Sequence, residues 1–165
     1  MNLYQDPIIT KYFDLIKANT DVFKEFYYGD PIRIPASNLP AIILSREQTR
    51  VGHLTNAEDE HGMQMILSII TDIRNDLSDY TNIVAGVNTL YDLVEGRDAT
   101  TLQLKPTSLL SILRHNLEVD IQHNLRTDLS TITTAEYGMT LGKRTEEGWA
   151  MECQIKFVAY FNQIR

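Results

Sequence analysis

The sequence has a single cysteine, Cys153, in 165 residues, so no internal disulfide can form and a reducing compartment is expected. It also lacks any apolar run near the roughly 18 residues that would span a bilayer. Its opening, MNLYQDPIITKYF, shows no basic start followed by an apolar stretch, so neither export by the usual signal nor membrane insertion is expected. Basic residues are the minority, 15 Lys and Arg against 22 Asp and Glu, for a formal net charge of -7. That balance argues against a tight grip on nucleic acid, which rests on cations displacing counterions. An acidic wall does let a polyanion slide past without sticking, so the same charge suits a conduit for DNA. None of the eight glycines falls in GxGxxG or GxxxxGK[ST], which removes those phosphate cradles. No GxSxG elbow, HExxH pair, cysteine pair or calcium-loop pattern occurs either.

What is present is enough to fold. Hydrophobic residues make up 43% of the chain and charged residues 22%, a composition that supports one packed core. No linker, repeat or low-complexity run divides it, so residues 1–165 are expected to form a single domain. Asp6 and Pro7 read as N-cap and first helical residue, with Ile8, Ile9, Tyr12, Phe13 and Ile16 at helical spacing, which predicts a helix from Pro7 to about Ala18. Val22, Phe23 and Phe26 extend it by a short second turn. Pro31, Pro35 and Pro40 hold the next segment extended. A strand is predicted from Ala41 to Val51, buried on both faces over Ala41 to Leu44 and polar beyond.

The stretch Gly52 to Gly62 has little to bury and reads as a mobile hairpin loop. Alternation of Met63, Met65, Leu67, Ile69 and Ile73 with Gln64, Ser68 and Asp72 predicts a second strand. Asp79 caps a helix carrying Ile83, Val84, Val87, Leu90, Tyr91 and Val94 and ending at Gly96. A third helix opens near Thr107 or Ser108, after Pro106, with Leu109, Leu110, Leu113 and Leu117 on its buried face. Val119 to Leu129 reads as connecting structure. Ser130 to Leu141 alternates as a strand, and the turn Gly142 to Gly148 leads into a last strand from Trp149 to Phe161. The expected fold is α+β: a four-stranded, mainly antiparallel sheet of two hairpins, with helices packed on one face.

Chemistry-bearing residues are sparse. His53 and His61 flank the acidic triplet Glu58, Asp59 and Glu60, but without ligand spacing or rigid support they read as a solvated loop rather than the site of a metal-dependent hydrolase or nuclease. His115 and His123 share a helix face only if the third helix runs on through Val119 and Ile121. Cys153, on an apolar face, reads as a packed thiol, and Asp92 with Glu95 as solvated helix surface. No catalytic, metal or cofactor residue is assigned, and no enzyme is expected. The charged tip Lys143, Arg144, Glu146 and Glu147 suits either registration against a neighbouring subunit or a turn held in solvent.

Three segments, the run GDPIRIPASNLPAIIL at Gly29 to Leu44, the strand Met63 to Arg74 after a polar loop, and the closing hairpin ending in ECQIKFVAYFNQI, resemble the bacteriophage tail terminator and related minor tail or neck proteins. The resemblance lies in the order of elements rather than in sharp motifs. It implies a virion subunit, assembled in the host cytoplasm, that forms a ring with itself, usually a hexamer, at the head-proximal end of the tail. Such a ring stops tube growth and docks the head, so the implied partners are the tail tube protein and a neck or head-completion protein, with DNA passing through unbound. A head-closure connector of the same virion is the alternative. Carried over to this chain, the implied interface or lumen positions are His53, Glu58, Asp59 and Glu60 in the first hairpin and Lys143, Arg144, Glu146 and Glu147 in the last. A non-viral adaptor that binds through an exposed strand edge would show the same sequence features.

Overall fold

A computed structural model describes residues 5–29, 31, 33–72, 80–139 and 150–165. Helix α1 (Pro7–Asn19) begins where the sequence places it: the Asp6 carboxylate accepts the Ile8 and Ile9 N–H groups at 2.9 and 3.2 Å, and Pro7 needs no partner at that position. Its stripe of Ile9, Tyr12, Phe13 and Ile16 is buried. The expected second turn around Phe26 is instead strand β1 (Glu25–Tyr28), parallel to β2 (Ala41–His53) in the register Glu25 to Ala41 through Tyr28 to Leu44. Its aromatic residues suit a pleated surface, and the ladder satisfies backbone groups that an isolated turn would leave to water.

Strand β3 (Glu58–Asp72) pairs antiparallel with β2 on one side and, over fifteen residues, with β7 (Ala150–Ile164) on the other. Between them in the chain lie α2 (Tyr80–Glu95), α3 (Leu109–His115), β4 (Glu118–Asp120), β5 (Leu125–Thr127) and β6 (Ala135–Met139). Strands β6 and β5 share the far edge of β7, β6 along Met151 to Ile155 and β5 at Ala159 and Tyr160. The described residues form a seven-stranded sheet of order β1-β2-β3-β7-β5-β4, with β6 also on β7, and three α-helices.

The expected four-stranded sheet of two hairpins is therefore wrong. Both expected hairpin pairings are present, β2 with β3 and β6 with β7, but three further short strands, β1, β4 and β5, widen the sheet to seven, with β3 and β7 paired at its centre. Val119 to Leu129 is not connecting structure: it holds β5 and parts of β4, whose few buried positions, Leu125 and Thr127, give too short a signal for periodicity to register. The strand expected from Ser130 starts later, at Ala135, because Leu129–Thr131 forms a 3-10 turn capped by Asp128; its expected end at Thr140 and Leu141 lies outside the described residues. The helical stripe also stops early. Leu117 lies beyond α3, packed against the core from the following segment.

The main core lies where Ile42, Leu44, Met63, Met65, Leu67, Ile69, Cys153, Ile155, Phe157 and Ala159 meet buried residues of all three helices, among them Tyr12, Phe13, Leu90, Val94, Leu109 and Leu113. Each fully buried aliphatic or aromatic side chain there contributes about 1.5–3 kcal/mol of transfer free energy. On the opposite face Ile34 and Leu39, from the proline-rich segment, cover Ala41, Ile43 and Ile70, so the continuous apolar run Ala41 to Leu44 is buried on both sides as expected. The Asp79 cap and Ile73 lie outside the described residues. Gly96 follows α2 directly, and space is what requires glycine: a Cβ there would sit 2.5 Å from the Asp92 carbonyl oxygen.

Candidate functional site

The segment expected to be a mobile loop from Gly52 to Gly62 is mostly strand. β2 runs to His53 and β3 starts at Glu58, joined by a turn in which Thr55 Oγ1 accepts the Ala57 and Glu58 N–H groups. The polar sequence hid this because the strand on the other side of β3 lies far away in the chain: β7 extends to Ile164, opposite Glu58, so β2, β3 and β7 continue as a three-stranded ribbon past the main core.

Pairing fixes which side each candidate takes. His53 and Asp59 are directly opposite, and their face is the one that carries Met63 into the helix-side core. Glu58 and Glu60 are on the other face, so the acidic triplet does not converge. Asp59 is bound by Arg165, whose Nε and a terminal guanidinium nitrogen donate at 3.0 and 2.6 Å, while the same guanidinium donates to His53 Nδ1. The hydrogen bond from Arg165, reinforced by its charge and by His53 and His61, holds the Asp59 carboxyl below the usual carboxylate range; Arg165 is raised in turn, chiefly by its hydrogen bond to Asp59. On the opposite face Glu60 accepts from Arg126, whose guanidinium lies 5.5 Å from the centre of the Tyr160 ring. That ring covers Gly62, where a Cβ would come within 2.9 Å of it. His61 stacks on Phe161 at 4.5 Å between centroids, beside the exposed Val51.

These side chains fasten strands to one another. Among the described residues no group of three or more His, Cys, Asp or Glu is placed to hold a metal ion. The second candidate cluster, Lys143, Arg144, Glu146 and Glu147, lies outside the described residues. The residues that flank it, Met139 and Ala150, belong to the end of the sheet near Thr71 and Asp72, about 45 Å along β3 from Glu58 at the usual rise per strand residue.

The remaining sequence candidates separate. His115 ends α3, with Nδ1 bonded to the Ser111 carbonyl oxygen at 2.9 Å, whereas His123 sits in the β4–β5 turn, paired with Asp120 at 2.8 Å; they share no helix face. His115 lines an open cleft of about 600 Å³ with Asn19, Gln103, Ser111 and Asn116. Asp92 pairs with Lys105 at 3.2 Å, while Glu95 accepts the Tyr137 hydroxyl at 3.0 Å. Cys153 is fully buried, and burial, with the Glu95 carboxylate nearby, pushes its thiol up to about 12. Sequence reasoning missed Arg126, Tyr160 and Arg165, which organise the ribbon. For Tyr160 the period-2 alternation of the last strand was a signal; for Arg126 none existed until β5 was seen.

No family model matches the chain, and no curated protein matches it. Among solved structures, a chain of the virion of a native gene transfer agent particle is similar to it at 13% identity, with 96% of this chain and 87% of that chain covered and a TM-score of 0.33.

Proposed function

We propose that this chain is a structural virion protein that closes into a ring, hexameric in the resembled family, at the head-proximal end of a phage tail. There it ends growth of the tail tube and presents the face on which the head docks. The observation that carries the reading is the β2–β3–β7 ribbon. Its acidic residues Asp59 and Glu60 are taken up in internal fastening, Asp59 with Arg165 and Glu60 with Arg126, which builds a stiff projection rather than a cluster of reactive groups. A rigid strand ribbon suits contact with a neighbouring subunit or with the tail tube protein. The net charge of -7 suits a wall past which DNA travels unbound. Closure of head-to-tail contacts would set the ring diameter, and a ring of matching symmetry covers the tube surface that otherwise accepts another layer.

The test pairs two measurements. Light scattering should give the mass of a multimer, alone or on addition of tube ends, and particles assembled without the protein should carry overlong tails. Tails of normal length with full heads that leak DNA would move the chain to the head-closure position. A strictly single-chain species that ignores tails would end the ring reading. A metal-dependent hydrolase is the competing chemistry, and it requires stoichiometric bound metal that is lost on His53→Ala with His61→Ala.

A further inference from the structure

The two free edges of the sheet carry the next step, which rests on the ring reading above. β1 covers β2 only from Ala41 to Leu44, and among the described residues nothing pairs with the outer side of β2 from Gln48 to His53. The Leu54 N–H bonds the Glu58 carbonyl oxygen, which sets the alternation along the hairpin: His53, Val51 and Thr49 turn their N–H and C=O groups outward, while Gly52, Arg50 and Gln48 turn theirs to β3. The irregularity between Arg46 and Gln48 separates this run from the part of β2 that β1 covers. At the other end of the strand order β4 also has an outer side to which no described strand is paired.

These edges lie at one level. Arg50 is opposite Gly62, Gly62 opposite Tyr160, Tyr160 opposite Arg126 and Arg126 opposite Glu118, a single row across five strands with all five residues on the face away from the helices. The row begins with an exposed cation and ends with an exposed anion. Arg126, inside it, is bound by Glu60, but Arg50 and Glu118 have no ion-pair partner among the described residues. Four successive antiparallel pairings separate β2 from β4, so the two strands run in the same direction.

We infer that β4 of one copy adds, parallel, to the free edge of β2 in the next copy, bringing Glu118 beside Arg50 and continuing the sheet from subunit to subunit. Different edges meet, so the contact is heterologous and can close into a ring. Main-chain groups of Thr49, Val51 and His53 supply the hydrogen bonds, and the Arg50–Glu118 pair sets the register.

The experiment is a charge swap read by mass, with backbone amide exchange resolved by residue. Arg50→Glu alone and Glu118→Arg alone should each shift the multimer towards single chains, and the two together should restore it. In the multimer the Thr49, Val51 and His53 amides should become protected, although in dilute single chains only those of Gln48, Arg50 and Gly52 are. Val51→Pro removes an outward N–H without touching the β3 ladder, so it should block assembly, whereas Val51→Ala should not. A wild-type multimer in which Thr49, Val51 and His53 still exchange freely, or in which the double swap fails to restore assembly, overturns this contact and leaves the ring reading standing. A wild-type protein that stays single-chain with tube ends present overturns both.

Discussion

The bond between the Tyr12 hydroxyl and Thr127 Oγ1 offers a sharp test of the tertiary structure, because it joins residues 115 positions apart, at 2.7 Å, and ties α1 to β5. Both residues are buried, Tyr12 at 1% and Thr127 at 4% exposure. Tyr12→Phe keeps the ring and its contact with Phe157 but leaves the threonine hydroxyl without its partner, at a cost of about 1–3 kcal/mol. Thr127→Val leaves the phenol in the same position at a similar cost. The double variant removes both polar groups and should cost far less than the sum, giving a coupling of roughly 1–2 kcal/mol. For a chain of this size about 1 kcal/mol moves the melting midpoint by about 2–4 °C, so each single variant should melt about 2–12 °C lower. Urea titrations of the four proteins would measure the cycle.

A second arm of the same test uses pH. Burial, only partly offset by the bond to Thr127, holds the Tyr12 hydroxyl well above the ordinary tyrosine range. Its contribution to stability is therefore fully present below the unfolded tyrosine value of about 10 and is lost as pH rises from there towards the folded value. Tyr12→Phe should flatten that alkaline loss. Additivity of the two substitutions within about 0.5 kcal/mol, with an unchanged alkaline slope, would refute the placement of α1 against β5.

Three further outcomes are expected. Gly62→Ala should destabilise the protein by about 1 kcal/mol because its Cβ meets the Tyr160 ring, and in a Tyr160→Ala background the same change should become stabilising, as alanine usually is over glycine in a strand; chemical denaturation of both pairs reads the sign. Cys153, buried and with its thiol pushed up to about 12, should resist a thiol reagent at pH 8 in the folded protein and react at once in denaturant, and native reaction at the rate of a free thiol would contradict the packing. Asp59, held low by Arg165, stabilises the ribbon tip above the usual carboxylate range, and that contribution is lost as pH falls through its depressed value; Asp59→Asn should speed amide exchange at the tip at neutral pH while leaving core amides unchanged.

Wherever a local pattern was long enough, the chain announced its own structure. The Asp6–Pro7 start and the Ile9, Tyr12, Phe13, Ile16 stripe specify α1, because capping and 3.6-residue periodicity are properties of neighbours in sequence. The alternation from Met63 to Ile69 and from Met151 to Ala159 specifies the two central strands for the same reason. Composition alone set the acidic balance, and the lone cysteine excluded internal disulfides. Tertiary structure decided the rest. Whether Glu25–Tyr28 is a helical turn or a parallel strand depends on Ala41–Leu44, and whether Glu58, Asp59 and Glu60 form a loop or a ladder depends on residues near 160. Strand pairing is a contact between distant segments, so one segment's own sequence does not contain it; the row from Arg50 to Glu118 came into being only when five such segments were laid side by side.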